Sequence, residues 1–222
     1  MGSKGISINT HEIGVFGGTF DPIHNGHIQS VTEGARHLNL TKVLLLPAHI
    51  PPHKSNVIAS SKHRLAMAEM VCQHHPLFTC DDRELQRQAP SYTIDTLIEI
   101  SECYPKNTLY LFIGMDSFIN FTTWYRWQDI LKQCHLIVSA RPNYVITDIN
   151  QETQQLLSQS QVNTPSMLKK HKAGKIYLFE QSDFLVSSTE IRHQLQQTNE
   201  RLDNIPDYIA QYIKAHKLYQ LT

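Results

Sequence analysis

Residues 17–27 read Gly-Gly-Thr-Phe-Asp-Pro-Ile-His-Asn-Gly-His. Two imidazoles three positions apart, set behind a pair of glycines, are the part of this chain best equipped for chemistry. The stretch follows a short apolar run, Ile13-Gly14-Val15-Phe16, and precedes a segment of helical periodicity from Ile28 to Leu38. It therefore reads as a strand–turn–helix junction at the first strand. Gly17 and Gly18 let backbone pass close to a ligand and allow a positive φ. A helix starting near Asn25 aims its unsatisfied N–H groups and the positive end of its dipole at the same place. His24 and His27 share a face on its first turn. Glycines, helix N-terminus and paired imidazoles together suit a polyphosphate. Other motifs fit less well. The pattern is not the His-Glu-x-x-His of zinc peptidases, and neither Gly-x-x-x-x-Gly-Lys-Ser/Thr nor Gly-x-Gly-x-x-Gly is present.

A second constellation lies far along the chain, at Ser187-Ser188-Thr189-Glu190-Ile191-Arg192. Ser187 and Glu190 fit the Ser-x-x-Glu capping box that opens a helix. The same hydroxyls, the helix N–H groups and the Arg192 guanidinium converge where a pyrophosphate could sit. The two readings are compatible.

The elements that must position these residues alternate. Strands are predicted at Ile13–Phe16, Lys42–Leu46, Leu77–Cys80, Leu109–Ile113, His135–Ser139 and Lys175–Phe179. Helices are predicted at Ile28–Leu38, Ser61–Gln73, Thr93–Cys103, Trp127–Gln133, Thr189–Gln197 and Pro206–Ala215. Several strands are apolar without alternation, as strands buried on both faces are. Alternating βα units imply an α/β fold with a doubly wound parallel sheet, and ligands of such sheets bind beyond the carboxyl ends of the strands. Both constellations fall at those ends. The polar, Gln-rich segment from Asn143 to Gly174 reads as a helix plus loop insertion. The C-terminal helices are expected to pack against the sheet edge. Residues 12–222 read as one domain and residues 1–11 as an N-terminal extension.

Composition sets the outer bounds. The chain has 222 residues, 41% of them hydrophobic, enough for a full core. Its formal net charge is zero, which argues against nucleic-acid or membrane-surface binding but not against a small anion held by local donors. No apolar run approaches the roughly 20 residues that span a bilayer, and Met1 to His11 lacks an apolar signal core. Cys72, Cys80, Cys103 and Cys134 are irregularly spaced, so a cytoplasmic chain with ordinary buried, reduced thiols is expected. The thirteen histidines are scattered, and His74-His75 before Pro76 reads as a surface helix end.

His24-Asn25-Gly26-His27 and the Ser-Ser-Thr-x-Ile-Arg stretch resemble the two signatures of the nucleotidyltransferase superfamily that carries a His-x-Gly-His motif. Leu46-Pro47-Ala48-His49-Ile50-Pro51-Pro52-His53-Lys54, Ser91-Tyr92-Thr93, Ile113-Gly114-Met115-Asp116-Ser117 and Trp124-Tyr125 narrow this. From Ile13 to Leu218 the chain is similar to the bacterial nicotinate-nucleotide adenylyltransferases. The resemblance implies a Rossmann-like nucleotidyltransferase fold and the joining of nicotinate mononucleotide to the AMP part of ATP, giving deamido-NAD and pyrophosphate. It implies catalytic roles for His24, His27 and Arg192. ATP contacts fall to Gly17, Gly18, Thr19, Phe20, Gly114, Asp116, Ser187, Ser188 and Arg192, beside both histidines. For the mononucleotide, Trp124 matches the residue that stacks on the ring, Thr93 and Tyr125 lie around the ring and carboxylate, and Lys54 and Arg141 match basic positions near the site. Mg²⁺ is expected to arrive with ATP, mostly keeping its waters, with no protein metal cage. ATP and nicotinate mononucleotide are the expected partners. The chain departs from the family at Ala48, where an Asn commonly follows the proline. Two alternatives stand beside this reading: a sibling enzyme acting on nicotinamide mononucleotide or pantetheine phosphate, and a nucleotide-sensing module without catalysis.

Overall fold

The computed structural model describes residues 11–51, 57–141, 149–181, 186–197 and 203–220. Strands β1 (Glu12–Gly18), β2 (Val43–Pro47), β3 (Phe78–Cys80), β4 (Thr108–Gly114), β5 (Cys134–Ala140), β6 (Gln161–Val162) and β7 (Ile176–Glu180) form a seven-stranded sheet in the order β3-β2-β1-β4-β5-β7-β6. Every pairing is parallel. The helices are α1 (Asn25–Leu38), α2 (Ser61–His74), α3 (Thr93–Cys103), α4 (Met115–Ile119), α5 (Trp127–Gln133), α6 (Gln151–Ser160), α7 (Pro165–Leu168), α8 (Ser188–Gln197) and α9 (Asp207–Ala215).

The expected doubly wound α/β architecture is present. The central strands β1, β2, β4 and β5 alternate between two buried faces. Val43 and Leu45 of β2, with Tyr110 and Phe112 of β4, join Ile28, Val31, Ala35 and Leu38 of α1 and Met67, Ala68 and Val71 of α2. Leu44 and Leu46, with Leu109, Leu111 and Ile113, join Ile94, Leu97 and Ile100 of α3 on the other side. Burying both faces is why these strands read as continuous apolar runs. On α1 the packing is close enough that Gly34 faces the Phe112 and Phe179 rings with no room for a side chain: a Cβ there would lie 2.7 Å from Phe112.

The winding reverses between β1 and β4, which are neighbours in the sheet. Helices then leave to opposite sides, and a crevice opens above the carboxyl ends of those two strands. The segment before β7 contains α6, β6 and α7, so it holds more than the single helix expected. The C-terminal helix is placed differently from expectation. Ile209 and Ile213, one turn apart, pack α9 into the core cluster that contains α2 rather than along a sheet edge. All four cysteines are free, but Cys134 alone is buried, Cys72 and Cys80 are half-buried and Cys103 is exposed. Among the described residues no helix is long and apolar enough to cross a membrane.

Candidate active site

The carboxyl end of β1 runs directly into the glycine–histidine motif. Gly17 and Gly18 keep negative φ; the left-handed residue is Phe20, at φ 53°. The expected conformational role of the glycines therefore moves to a phenylalanine, and Gly18 serves another need. The turn at Phe20 folds its ring back over residue 18, where a Cβ would lie 2.5 Å from a ring carbon. Gly17 is exposed, and the nearest atom to a Cβ there is the Leu46 carbonyl oxygen at 4.0 Å.

His24 is the N-cap of α1 and is buried. Its Nδ1 accepts the His27 amide at 3.3 Å, and Nδ1 of His27 accepts the His24 amide at 3.3 Å. The rings stack with centroids 3.6 Å apart. This reciprocal cap fixes the chemistry of both imidazoles. A nitrogen that accepts an N–H carries no proton, so each neutral ring holds its proton on Nε2 and is a donor there. Two Nε2–H donors beside the positive end of a helix dipole suit a phosphate.

Behind this loop lies a buried charge network that pattern reading misses. Asp21, 3% exposed, accepts the amides of Ile58 (2.9 Å) and Ala59 (3.0 Å) and the Tyr219 hydroxyl (2.8 Å). Arg64, 1% exposed, donates to the carbonyls of Thr19, Ala48, His49 and Ala59. Burial lowers the Arg64 pKa, and Asp21 beside it works against that. Burying such groups is tolerated when hydrogen bonds satisfy them. One guanidinium thus clamps the loop after β1 and the loop after β2.

At α8 the capping reading holds. Ser187 Oγ accepts the Glu190 amide at 3.2 Å, and its own amide and hydroxyl donate to Glu190 Oε2 at 2.8 Å. The Ser187 hydroxyl and then its amide are the main reasons the Glu190 carboxyl titrates below its ordinary value; Arg141 adds to the effect. Ser188 Oγ donates to the Pro22 carbonyl at 3.0 Å, which docks α8 on the β1 loop. Arg192 donates to the Asp21 carbonyl at 2.7 Å and to Thr189 Oγ1 at 3.2 Å.

A cavity of about 610 Å³ opens over these groups, within the roughly 300–1,000 Å³ usual for ligand sites. It brings together Gly17, Gly18, Thr19, Phe20, His24, His27, Ser187, Ser188 and Arg141 at the β1 side. At the other side it gathers Gly114, Asp116, Thr93, Trp124 and Tyr125. Arg192 is not among its lining; it stands behind the wall on Asp21. Lys54 lies outside the described residues. Trp124 is half-buried against Phe121, and Tyr125 is 51% exposed with its ring 4.5 Å from that of Tyr92. The N-terminus of α3 has no side-chain cap, so its first amides are suited to an anionic group. Gly114 ends β4, and a Cβ there would meet nothing within 4 Å. Sequence reading did not assign Ser30, Glu84, Ser91, Ser139 or Gln181 to the lining. Ser91 had a signal, since it opens the Ser-Tyr-Thr stretch; the others had none. Among the described residues no three His, Cys, Asp or Glu side chains converge as a metal-ligand set.

Comparison with known proteins agrees with this geometry. Residues 15–194 match the model of the cytidylyltransferase-like family. A protein of Pectobacterium atrosepticum named "Probable nicotinate-nucleotide adenylyltransferase" is 46% identical over 92% of this chain and 97% of its own. One of the same name from Shewanella pealeana is 39% identical over 94% and 96%. The structure of Plasmodium falciparum nicotinic acid mononucleotide adenylyltransferase complexed with NaAD superposes with a TM-score of 0.68 at 20% identity, over 94% of this chain and 97% of that one. Its complex with APC gives 0.70 at 18%, with the same coverage. The chain belongs to the cytidylyltransferase-like family and, within it, to the nicotinate-nucleotide adenylyltransferases.

Proposed function

We propose that the cavity joins nicotinate mononucleotide to the adenylyl group of ATP by direct displacement. A phosphate oxygen of the mononucleotide attacks the α-phosphorus of ATP, the bond from that phosphorus to the bridging oxygen breaks, and pyrophosphate leaves with the electron pair. The nucleophile is already anionic near neutral pH, so no general base is needed. Positioning and charge stabilisation are the task. One observation carries the reading: a single cavity has paired imidazole donors at a helix N-terminus on one side and an aromatic wall with an uncapped helix N-terminus on the other.

In this reading His24 and His27 donate from Nε2 to the α-phosphate as charge builds there. Gly17, Gly18, Thr19 and Phe20 give ATP a close backbone path. Ser187 and Ser188 take the outer phosphates, beside Gly114 and Asp116. Arg192 acts on that end through Asp21. Trp124 and Tyr125 hold the nicotinate ring, Thr93 at the α3 N-terminus receives its carboxylate, and Arg141 adds positive charge; Lys54 belongs to the same group. The lining fits a magnesium ion carried in on ATP, with the exposed Asp116 carboxylate as an available hard oxygen ligand. When bound, the ion neutralises phosphate charge. The reaction is expected to stop with EDTA and resume with added Mg²⁺. The enzyme is taken to be cytoplasmic, with residues 12–222 as its one domain.

The test is pyrophosphate release from ATP with each acceptor: nicotinate mononucleotide, nicotinamide mononucleotide and pantetheine phosphate. A carboxylate only accepts hydrogen bonds, whereas an amide turns an NH₂ toward donors and mispairs groups worth about 1–3 kcal/mol each. Two such groups predict kcat/KM for the acid about 10²–10⁴ above the amide. A ratio near one, or a preference for either other acceptor, overturns the acid-selective assignment.

A further inference from the structure

Trp124 and Tyr125 lie between two fastenings. After them the backbone turns left-handed at Arg126, with φ 53° and ψ 43°. A non-glycine residue stays in that region only where its surroundings hold it. Here Arg126 Nε donates to Asp129 Oδ2 at 2.8 Å, and the Asp129 amide donates to the Arg126 carbonyl at 2.9 Å. Before them comes the 3-10 turn Phe121–Thr123, where the Phe121 carbonyl accepts the Trp124 amide at 3.0 Å.

That turn is pinned to α6. Thr122 and Thr153 are buried, and their hydroxyls lie 2.9 Å apart, one donating to the other. Asn150, the N-cap of α6, closes the group: its Nδ2 donates to Thr122 Oγ1 at 3.0 Å, and its Oδ1 accepts the Thr153 amide at 2.8 Å. Valines would fill the same space, and replacing both partners of a buried hydrogen bond by apolar groups of one shape is close to neutral for stability. What a closed set of directional bonds adds is a fixed distance and angle. None of the three side chains lines the cavity, yet Thr122 stands two residues from Trp124, which does.

We propose that Thr122, Thr153 and Asn150 are positioning residues for the acceptor: by locking the Phe121–Thr123 turn to α6 they set the height and tilt of the Trp124 ring. The inference rests on the reading of Trp124 as the platform for the nicotinate ring given above. The effect falls on one substrate, because the glycine–histidine loop is fastened by Arg64 and α8 instead.

The experiment measures kcat, KM for ATP and KM for each mononucleotide in Thr122→Val, Thr153→Val, their double variant and Thr122→Ser, with Trp124→Ala beside them and a melting temperature for each. In the valine variants KM for both the acid and the amide is expected to rise about tenfold, with KM for ATP within about twofold. The acid-over-amide ratio is expected to hold, since stacking on a ring face does not read its substituent. The double variant is expected to be no worse than the worse single, because both break one group, and to melt close to the unaltered protein. Thr122→Ser keeps the hydroxyl and is expected to bring both acceptor KM values back to within about twofold. Equal rises in KM for ATP and acceptor, additive losses, no rescue by serine, or an unmoved acceptor KM in folded valine variants would overturn the proposal. If Thr122→Val does not fold, Thr153→Val and Asn150→Ala decide by the same ratios. If Trp124→Ala leaves both acceptor KM values unchanged, the underlying reading and this inference fall together. If it raises them while the folded valine variants do not, this inference falls alone.

Discussion

His24 caps α1 with Nδ1, so the phosphate contact proposed for Nε2 can be tested apart from the cap. Asparagine is a preferred N-cap and offers an oxygen close to where Nδ1 lies. His24→Asn should therefore keep the cap on the His27 amide while losing Nε2–H. Its melting temperature is expected to stay near that of the unaltered protein, while kcat falls about 10²–10³, the usual cost of one transition-state donor. Near-normal turnover would show that Nε2 of His24 does not serve the reaction. Glu84 gives a residue-scale prediction about pH. Burial raises its carboxyl pKa above the ordinary 4.5, against the opposing pull of Thr96, Ser91 and Arg87. The folded state thus binds a proton that the unfolded state releases, and Glu84 takes stability away as pH rises from the ordinary value through the raised one. Glutamine has no such titration. Denaturation of Glu84→Gln and the unaltered protein across that interval should show the difference moving in the variant's favour as pH rises. A flat difference contradicts the burial.

Among the elements, α1 makes the sharpest packing prediction. By helix propensity alone, Gly34→Ala would stabilise by about 1 kcal/mol. The Cβ would lie 2.7 Å from the Phe112 ring and 2.9 Å from Phe179, both buried. Overpacking of this kind costs about 1–3 kcal/mol, so net destabilisation is expected, read as a lower denaturation midpoint. The same element shows what the sequence could and could not reveal. Apolar periodicity located the body of α1 from Ile28, and the glycine–histidine motif put its start near Asn25, where it lies; the first turn, Asn25, Gly26 and His27, signals by capping rather than apolar spacing. Strand β6 (Gln161–Val162) has two residues and no period to detect. Arg64 shares the buried stripe of α2 with Met67, Ala68 and Val71, where an apolar residue would be read. Only the carbonyls of loops distant in sequence explain it. The local motifs of the site were legible because glycines, histidines and hydroxyls act within a few residues of one another. Glu84, Phe20's left-handed turn and Arg192's hold on Asp21 were not, because each depends on what folds over it.

Across the whole molecule, the loop after β1 is held from far away. Tyr219→Phe removes the 2.8 Å bond to Asp21 Oδ1 and leaves a buried charge less well paired. Hydrogen bonds to charged groups are worth about 1.5–3 kcal/mol, so a fall in melting temperature of about 3–12 °C is expected for a chain of this size. KM for ATP should rise more than KM for the acceptor. An unchanged melt would mean that Tyr219 adds nothing to the loop. The bonds that meet at this loop span 166 residues from Ser188 to Pro22, 171 from Arg192 to Asp21 and 198 from Tyr219 to Asp21. Residues 17–27 leave the ribosome well before Ser188, Arg192 and Tyr219, which clasp them. During synthesis, the nascent chain carries the complete glycine–histidine motif without the fastenings that shape it. A chain that ends before Ser188 is therefore expected to bind ATP weakly, and competence to await the residues that clasp the loop.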